Sequence, residues 1–349
     1  MIHIVHLLDD FSIGGVTRSL RLFEQAELTE YAESSIVSIR PDARIADRYH
    51  ADIIITHLPP TWQRIGWFYS LRLRNPHARI IHVEHSYCAG FEQHKVSGKI
   101  RFRSMIRLAM AAADQIICVS HAQRKWLIRK VGIASSKCRT IYPWSDRDNL
   151  LDLPLCRPRT IREPLKAGFY GRFAEAKNLA ALVEAFTQIA PATCELHIGG
   201  CGPEEAMLRA RIGAMSHIHF HGQVDDVAPF LSQVDIVIVP SLWETYGLVA
   251  TEARLAGRPI LVSDIDGLKE QAVRGGLAAP LSTSEEIIDA VMRIQHMPLH
   301  VMGQEARSSA CNLRAESING WLDIIRQQRK APFFRNKSSI CPPDQPALS

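Results

Sequence analysis

The sequence predicts an α/β protein made of two parallel, doubly wound sheets. Short β-branched runs alternate with segments of helical period, and the alternation restarts after a proline-broken stretch near the middle. The chain's 349 residues also suffice for two domains with a core each. At 46% hydrophobic and 22% charged residues, the composition is that of a globular chain and not a disordered one. Met1 to Leu8 has a strand pattern without a basic start, and no apolar run reaches 18 residues. The chain is therefore expected neither to cross a membrane nor to leave through one on a signal of its own. Its eight cysteines, at 88, 118, 138, 156, 194, 201, 311 and 341, have no C-x-x-C spacing and read as reduced, cytoplasmic thiols.

In order, the first strand is IHIVHLL, followed by a glycine pair, Gly14 and Gly15, and a helical pattern through Leu20, Phe23 and Glu24. The pair either lets backbone approach a ligand closely or makes a plain turn, and it is not a dinucleotide-binding fingerprint. Strands follow at Ser35 to Ile39, Asp52 to Thr56, Arg79 to Glu84, Gln115 to Val119 and near Thr140–Ile141, with helical patterns over Trp62 to Arg74 and His121 to Val131. His85, at a strand's carboxyl end, is either a ligand contact or a structural hydrogen-bonding group. Residues 1–150 form the first domain, and the prolines at 143, 154, 158 and 164 mark 151–164 as a linker.

A second series runs through LKAGFYG, CELHIGG, HIHFHG, VDIVIVP and RPILVSD, giving a domain over 165–312. A helix over 313–330 closes the fold, and 331–349 is expected to be a disordered tail. Arg172 and Lys177 lie between a strand ending at Gly171 and a helix starting near Asn178. With the positive end of that helix they can neutralise a diphosphate, or they are a solvated basic loop. Gly199, Gly200 and Gly202 form a further turn. The stretch VPSLWETYGLVATEARLAGRP is strand, loop and helix start, with Glu244 in the loop and Glu252 in the helix. Such junctions at the carboxyl edge of a sheet bind ligands in open α/β folds; alternatively both acids are solvated. Three acidic pairs, Asp264/Asp266, Asp225/Asp226 and Asp9/Asp10, read as turn chemistry, so no metal is expected.

GGVTRSL, His85 after a strand, ADQIICVS, YGRFAEAKN, IGGCGP and PSLWETYGLVATEARLAGRPILVSD, in that order, resemble the family-four retaining glycosyltransferases over residues 1 to 325. The C-terminal half carries the specific part, Glu244-x7-Glu252 following Arg172 and Lys177. The resemblance implies the GT-B fold, two Rossmann-like domains facing across a cleft, with the donor mainly on the second domain and the acceptor on the first. It implies that Arg172 and Lys177 hold the diphosphate of a nucleotide-diphosphate sugar, with Gly15 approaching from across the cleft. Glu252 would take the ribose hydroxyls and Glu244 the transferred sugar. The N–H groups near Tyr246, Gly247 and Leu248 would meet the diphosphate or sugar, and His85 would lie near the reacting sugar. The sequence departs from the family in having Thr245 and Tyr246 where many members carry Gly and Phe, and a proline-rich linker in place of an Asn-Gly turn. Alternatives outside this reading are a GT-B epimerase or phosphorylase, or a non-catalytic nucleotide-sugar-binding subunit.

Charge is uneven, with 24 Lys+Arg against 16 Asp+Glu over residues 1–165 and 17 against 20 in the remainder. The basic half is expected to face an anionic surface or acceptor. Residues 93–113 read as one basic helix, with Lys95, Lys99, Arg103 and Arg107 on one face and Val96, Ile100, Ile106 and Ala109 on an apolar one. That suggests either a solvated helix packed on the sheet or peripheral attachment to an anionic inner membrane surface. Because many family members use lipid-linked acceptors, the resemblance favours a glycan or lipid-linked acceptor in polysaccharide biosynthesis, with no nucleic acid.

Overall fold

Strands form where β-branched residues cluster, because such side chains pack well on a pleated surface covered on both faces. The computed structural model describes residues 1–10, 15–158, 160 and 163–330; the expected tail at 331–349 lies outside them. Among the described residues the first sheet holds β1 (Ile2–Leu8), β2 (Ala32–Ser38), β3 (Ile53–Thr56), β4 (Arg79–Glu84), β5 (Gln115–Cys118) and β6 (Cys138–Thr140). The second holds β7 (Leu165–Arg172), β8 (Cys194–Cys201), β9 (Ile218–Gly222), β10 (Ile236–Val239), β11 (Ile260–Ser263) and β12 (Gly276–Ala279). The orders are β2-β1-β3-β4-β5-β6 and β12-β11-β10-β7-β8-β9, with parallel pairing throughout. Both orders reverse once, between β1 and β3 and between β7 and β10. Ligands of open parallel sheets bind outside the strand ends at such reversals.

The helix Leu313–Lys330 crosses back to the first sheet. Its Ile318, Trp321, Leu322, Ile324 and Ile325 join the core of Ile2, Ile4, Leu22, Phe23 and Ile53, with Trp321 edge-on to Phe23 at 5.0 Å. The first sheet thus depends on the far end of the chain for its cover.

Residues 93–113 are not one helix. The helix Ala89–Lys95 stops at Val96, which is extended (φ −116°, ψ 109°), and a new helix runs over Lys99–Ala111 behind Gly98. Lys95 belongs to the first helix and pairs with Glu175 at 2.7 Å, while Arg103 pairs with Glu92 at 2.5 Å. Ile106 and Ala109 are buried, but Ile100 is 83% exposed. The break at 96–98 takes Lys95 out of the expected basic stripe and leaves Lys99, Arg103 and Arg107 at four-residue spacing on the second helix. Ile100 faces outward because it stands about two and a half turns before the buried Ala109, on the opposite side of that helix.

Candidate active site

Arg172 ends β7 and Glu244 follows β10, so both stand at the reversal of the second sheet. Their two loops are tied by the Leu242 N–H donating to the Ala176 carbonyl at 2.8 Å. That bond brings Lys177 onto Glu244, and the ammonium and carboxylate form a direct ion pair. Asn178, in a left-handed conformation at φ 53°, donates from its side chain to the Leu281 carbonyl at 2.9 Å and anchors the loop from the other side. Arg172 is exposed at the strand end. Gly199 and Gly200, expected in a turn, lie inside β8, and a Cβ on Gly200 would sit 1.9 Å from the Gly171 carbonyl oxygen on the neighbouring β7.

Gly247 (φ 92°) opens the helix Leu248–Leu255, and the Gln271 amide donates to the carbonyls of Tyr246 (2.7 Å) and Gly247 (3.0 Å). The loop is therefore fixed from behind. The Tyr246 ring is buried and stacked on Tyr142 at 5.2 Å, which leaves its backbone as the part able to meet a ligand. Gly15 faces this helix start: a Cβ on it would lie 2.9 Å from Leu248 Cδ1.

Glu252 is fully buried. Tyr170 Oη donates to its Oε2 at 2.9 Å, and Arg18 Nη1 reaches Oε1 at 3.1 Å, with Arg147 Nε at 3.7 Å. Burial raises its carboxyl pKa, and the two arginines oppose that rise. Glu244 and Glu252 therefore have separate partners, where the spacing alone left them free to flank one ligand. Arg18 and Arg147, both outside the second sheet, were not singled out from the sequence; the R of GGVTRSL was the available signal.

His85 is the end of a ladder. Its Nε2 lies 3.0 Å from His57 Nδ1, and His57 Nε2 lies 3.1 Å from His6 Nδ1. His85 and His57 directly follow β4 and β3, and His6 lies inside β1, two residues before its carboxyl end. Burial lowers the pKa of His6 to about 3 and of His85 to about 4; burial and then the neighbouring histidines hold His57 well below its ordinary value. All three are neutral near pH 7, and each ring keeps one donor and one acceptor nitrogen. A cavity of about 30 Å³ beside the ladder is lined by Ser19, Phe23, His57, His85, Tyr142 and Trp321, among others.

Asp264 and Asp266 diverge. Asp264 pairs with Lys269 at 2.6 Å, whereas both oxygens of Asp266 accept from the Gly90 N–H at 3.2 Å. A Cβ on Gly90 would approach Asp266 Oδ2 to 2.5 Å, so a glycine is needed there. Asp226 caps a helix by accepting from the Ala228 N–H, and Asp9 pairs with Arg64. Further bonds cross the cleft: Thr245 Oγ1 donates to the His85 carbonyl at 3.1 Å, and Glu270 accepts from Tyr142 Oη at 2.8 Å and the His121 N–H at 3.1 Å.

Two sequence profiles match the chain, one described as Glycosyltransferase Family 4 over residues 29–149 and one as Glycosyl transferases group 1 over 164–296. The chain belongs to this glycosyltransferase family. A phosphatidyl-myo-inositol mannosyltransferase of Mycobacterium leprae is 30% identical over 188 residues, 51% of this chain and 49% of that enzyme. An uncharacterized 41.2 kDa protein in the cps region of Klebsiella pneumoniae is 21% identical over 71% of both chains. The Anabaena protein Alr3699/HepE, solved with UDP and glucose, superposes with a TM-score of 0.71 at 16% identity, over 95% of this chain and 100% of its own. The two facing sheets are accordingly the GT-B fold of the family. Within it, Arg172, Lys177, Glu244 and Glu252 lie on the C-terminal half and Gly15, Arg18 and His85 on the N-terminal half.

Proposed function

We propose that this family member transfers a sugar, with retained anomeric configuration, from a nucleoside-diphosphate sugar on the C-terminal half to a glycan or lipid-linked acceptor on the N-terminal half. The observation that carries the reading is the Lys177–Glu244 ion pair at the reversal of the second sheet, where the exposed Arg172 ends its strand, opposite Gly15 and His85. In the reaction the bond from the sugar's anomeric carbon to the β-phosphate oxygen breaks and its electron pair leaves with the nucleoside diphosphate. A bond to an acceptor hydroxyl oxygen forms, and the hydroxyl proton passes to a phosphate oxygen. Arg172 and Lys177 would stabilise the charge growing on the leaving diphosphate, more in the transition state than before it. Glu244, released from Lys177, would accept hydrogen bonds from the sugar hydroxyls. Glu252 would accept from the ribose diol in place of Arg18. With two cations available for the phosphates, and with Asp264 and Asp266 bonded in different directions, the transfer is proposed to need no divalent metal.

UDP and glucose in the Anabaena structure, and the lipid named as substrate of the mycobacterial relative, support the donor and acceptor classes. Incubation with UDP-, GDP- and dTDP-sugars, with and without EDTA, should release nucleoside diphosphate from at least one donor in either buffer. Loss with EDTA and rescue by Mn²⁺ would return the diphosphate to a metal. Binding of a donor with no release from any of them would favour a non-catalytic nucleotide-sugar-binding subunit.

Among the described residues no helix is long and apolar enough to cross a membrane. Peripheral attachment at the inner membrane face, in polysaccharide synthesis, is proposed from a patch on the N-terminal half. There Trp62, Tyr69, Leu73, Ile100 and Leu108 are 43%, 39%, 79%, 83% and 44% exposed, and Arg101 lies over the Trp62 ring at 5.6 Å. Aromatic and basic groups together suit an anionic interface. Sedimentation with anionic but not neutral vesicles at low salt is expected, reduced in an Ile100→Ser/Arg101→Gln variant. Equal recovery in both supernatants would remove the membrane assignment.

A further inference from the structure

Away from the cleft, β8 and β9 carry four polar side chains on one face. Strand alternation turns Leu196 and Ile198 into the core and puts Glu195 and His197 on the opposite face. His219 of β9 is the register partner of His197, and His221 follows two residues on. The signature is E-x-H in one strand and H-x-H in the next. In register, His197 lies four residues before Cys201, the partner of Arg172, so about 13 Å of strand separates this group from the candidate active site.

The geometry points to a divalent transition-metal site made by Glu195, His197 and His219, with Zn²⁺ as the cation it would take. Glu195 Oε2 stands 3.7 Å from His197 Nε2 and 3.8 Å from His219 Nε2, and the three ligand atoms lie within 4.8 Å of one another. Those separations exceed hydrogen bonds and lie within a few tenths of an ångström to about 1.5 Å of the roughly 3.3 Å between donors on a tetrahedral Zn²⁺ with bonds near 2.0–2.1 Å. Modest rotation of Glu195 and His219, which are partly exposed, closes the gap. His197 is 8% exposed, and its Nε2 is a buried nitrogen without a hydrogen-bond partner.

The other ring nitrogen is already committed. His197 Nδ1 lies 3.0 Å from His221 Nε2; with the proton on Nδ1 it donates there and leaves a bare lone pair on Nε2. This is the outer-partner arrangement that orients metal-ligating histidines. Two imidazoles and one carboxylate suit Zn²⁺, Co²⁺ or Ni²⁺ over Mg²⁺ and Ca²⁺. Bound there, the ion would fasten the edge strand β9 to β8.

The test is calorimetric titration of the tag-free, chelator-treated full chain with Zn²⁺, using Mg²⁺ as the contrast, alongside thermal unfolding. One Zn²⁺ per chain is expected, with a raised melting temperature and no response to Mg²⁺. Glu195→Gln and His219→Gln, both at partly exposed positions, should weaken binding tenfold or more. His221→Gln should weaken it by about ten- to hundredfold. Absence of saturable one-to-one binding overturns the site, as does binding that survives unchanged in both folded ligand variants.

Discussion

The two faces of the cleft handle their polar groups in opposite ways. On the C-terminal face the groups are ions at the mouth of a sheet: Arg172 is exposed, and Lys177 and Glu244 hold each other. On the N-terminal face they are neutral rings, His6, His57 and His85, hydrogen-bonded in series behind the surface. The first arrangement suits a ligand that arrives with charge and develops more of it. The second suits positioning an uncharged hydroxyl without presenting a cation to compete for the diphosphate. Glu252 joins the two, since its carboxylate belongs to the C-terminal half but takes Arg18 from the N-terminal half.

The strongest break in this contrast would come from the cations. Arg172→Ala and Lys177→Ala should each lower turnover about 10² to 10³-fold while the melting temperature of the exposed Arg172 variant stays put. Full activity in the folded double variant would detach the ions from catalysis.

The histidine side is probed by pH. A histidine with a depressed folded pKa contributes stability that is lost as pH falls below its unfolded value of 6.5, because the unfolded state then binds a proton that the folded state refuses until about pH 4 for His85 and about 3 for His6. Each such ring costs about 1.4 kcal/mol per pH unit in that window. Urea unfolding between pH 6.5 and 5 should show this slope, and a His57→Gln variant should be shallower by about one proton. An identical slope in the variant would mean that His57 titrates normally.

Arg18→Gln sharpens the join. If Arg18 latches Glu252 against the donor, its removal should tighten nucleotide-sugar binding by about a few-fold, as a larger fraction becomes competent. Weaker binding would instead make Arg18 a donor contact. The smallest effect is expected at Thr245→Gly, which removes one bond to the His85 carbonyl and should cost about 1 kcal/mol in stability with turnover little changed.

Most strands were legible because β-branched runs announce themselves. β12, with the sequence GLAA, has no such residue and became a strand through its pairing with β11. The helix expected over 93–113 fails for a local reason, Gly98 and the extended Val96, which the four-residue spacing of basic side chains outweighed in the reading. Thr245 and Tyr246 stood out only as departures from the family pattern; in three dimensions one bonds His85 and the other stacks on Tyr142.

The sequence by itself determined the two alternating series, the position of Arg172, Lys177, Glu244 and His85 at strand ends and loops, and that of Glu252 in the helix that follows. Those follow from periodicity and turn chemistry, which act over a few residues. Only the tertiary structure decided which charge meets which. Arg18 and Glu252 are 234 positions apart, and the helix Leu313–Lys330 covers a sheet whose first strand begins at Ile2. Such pairings depend on how two sheets and their loops close in space, and side-chain spacing along one strand or helix carries no record of them.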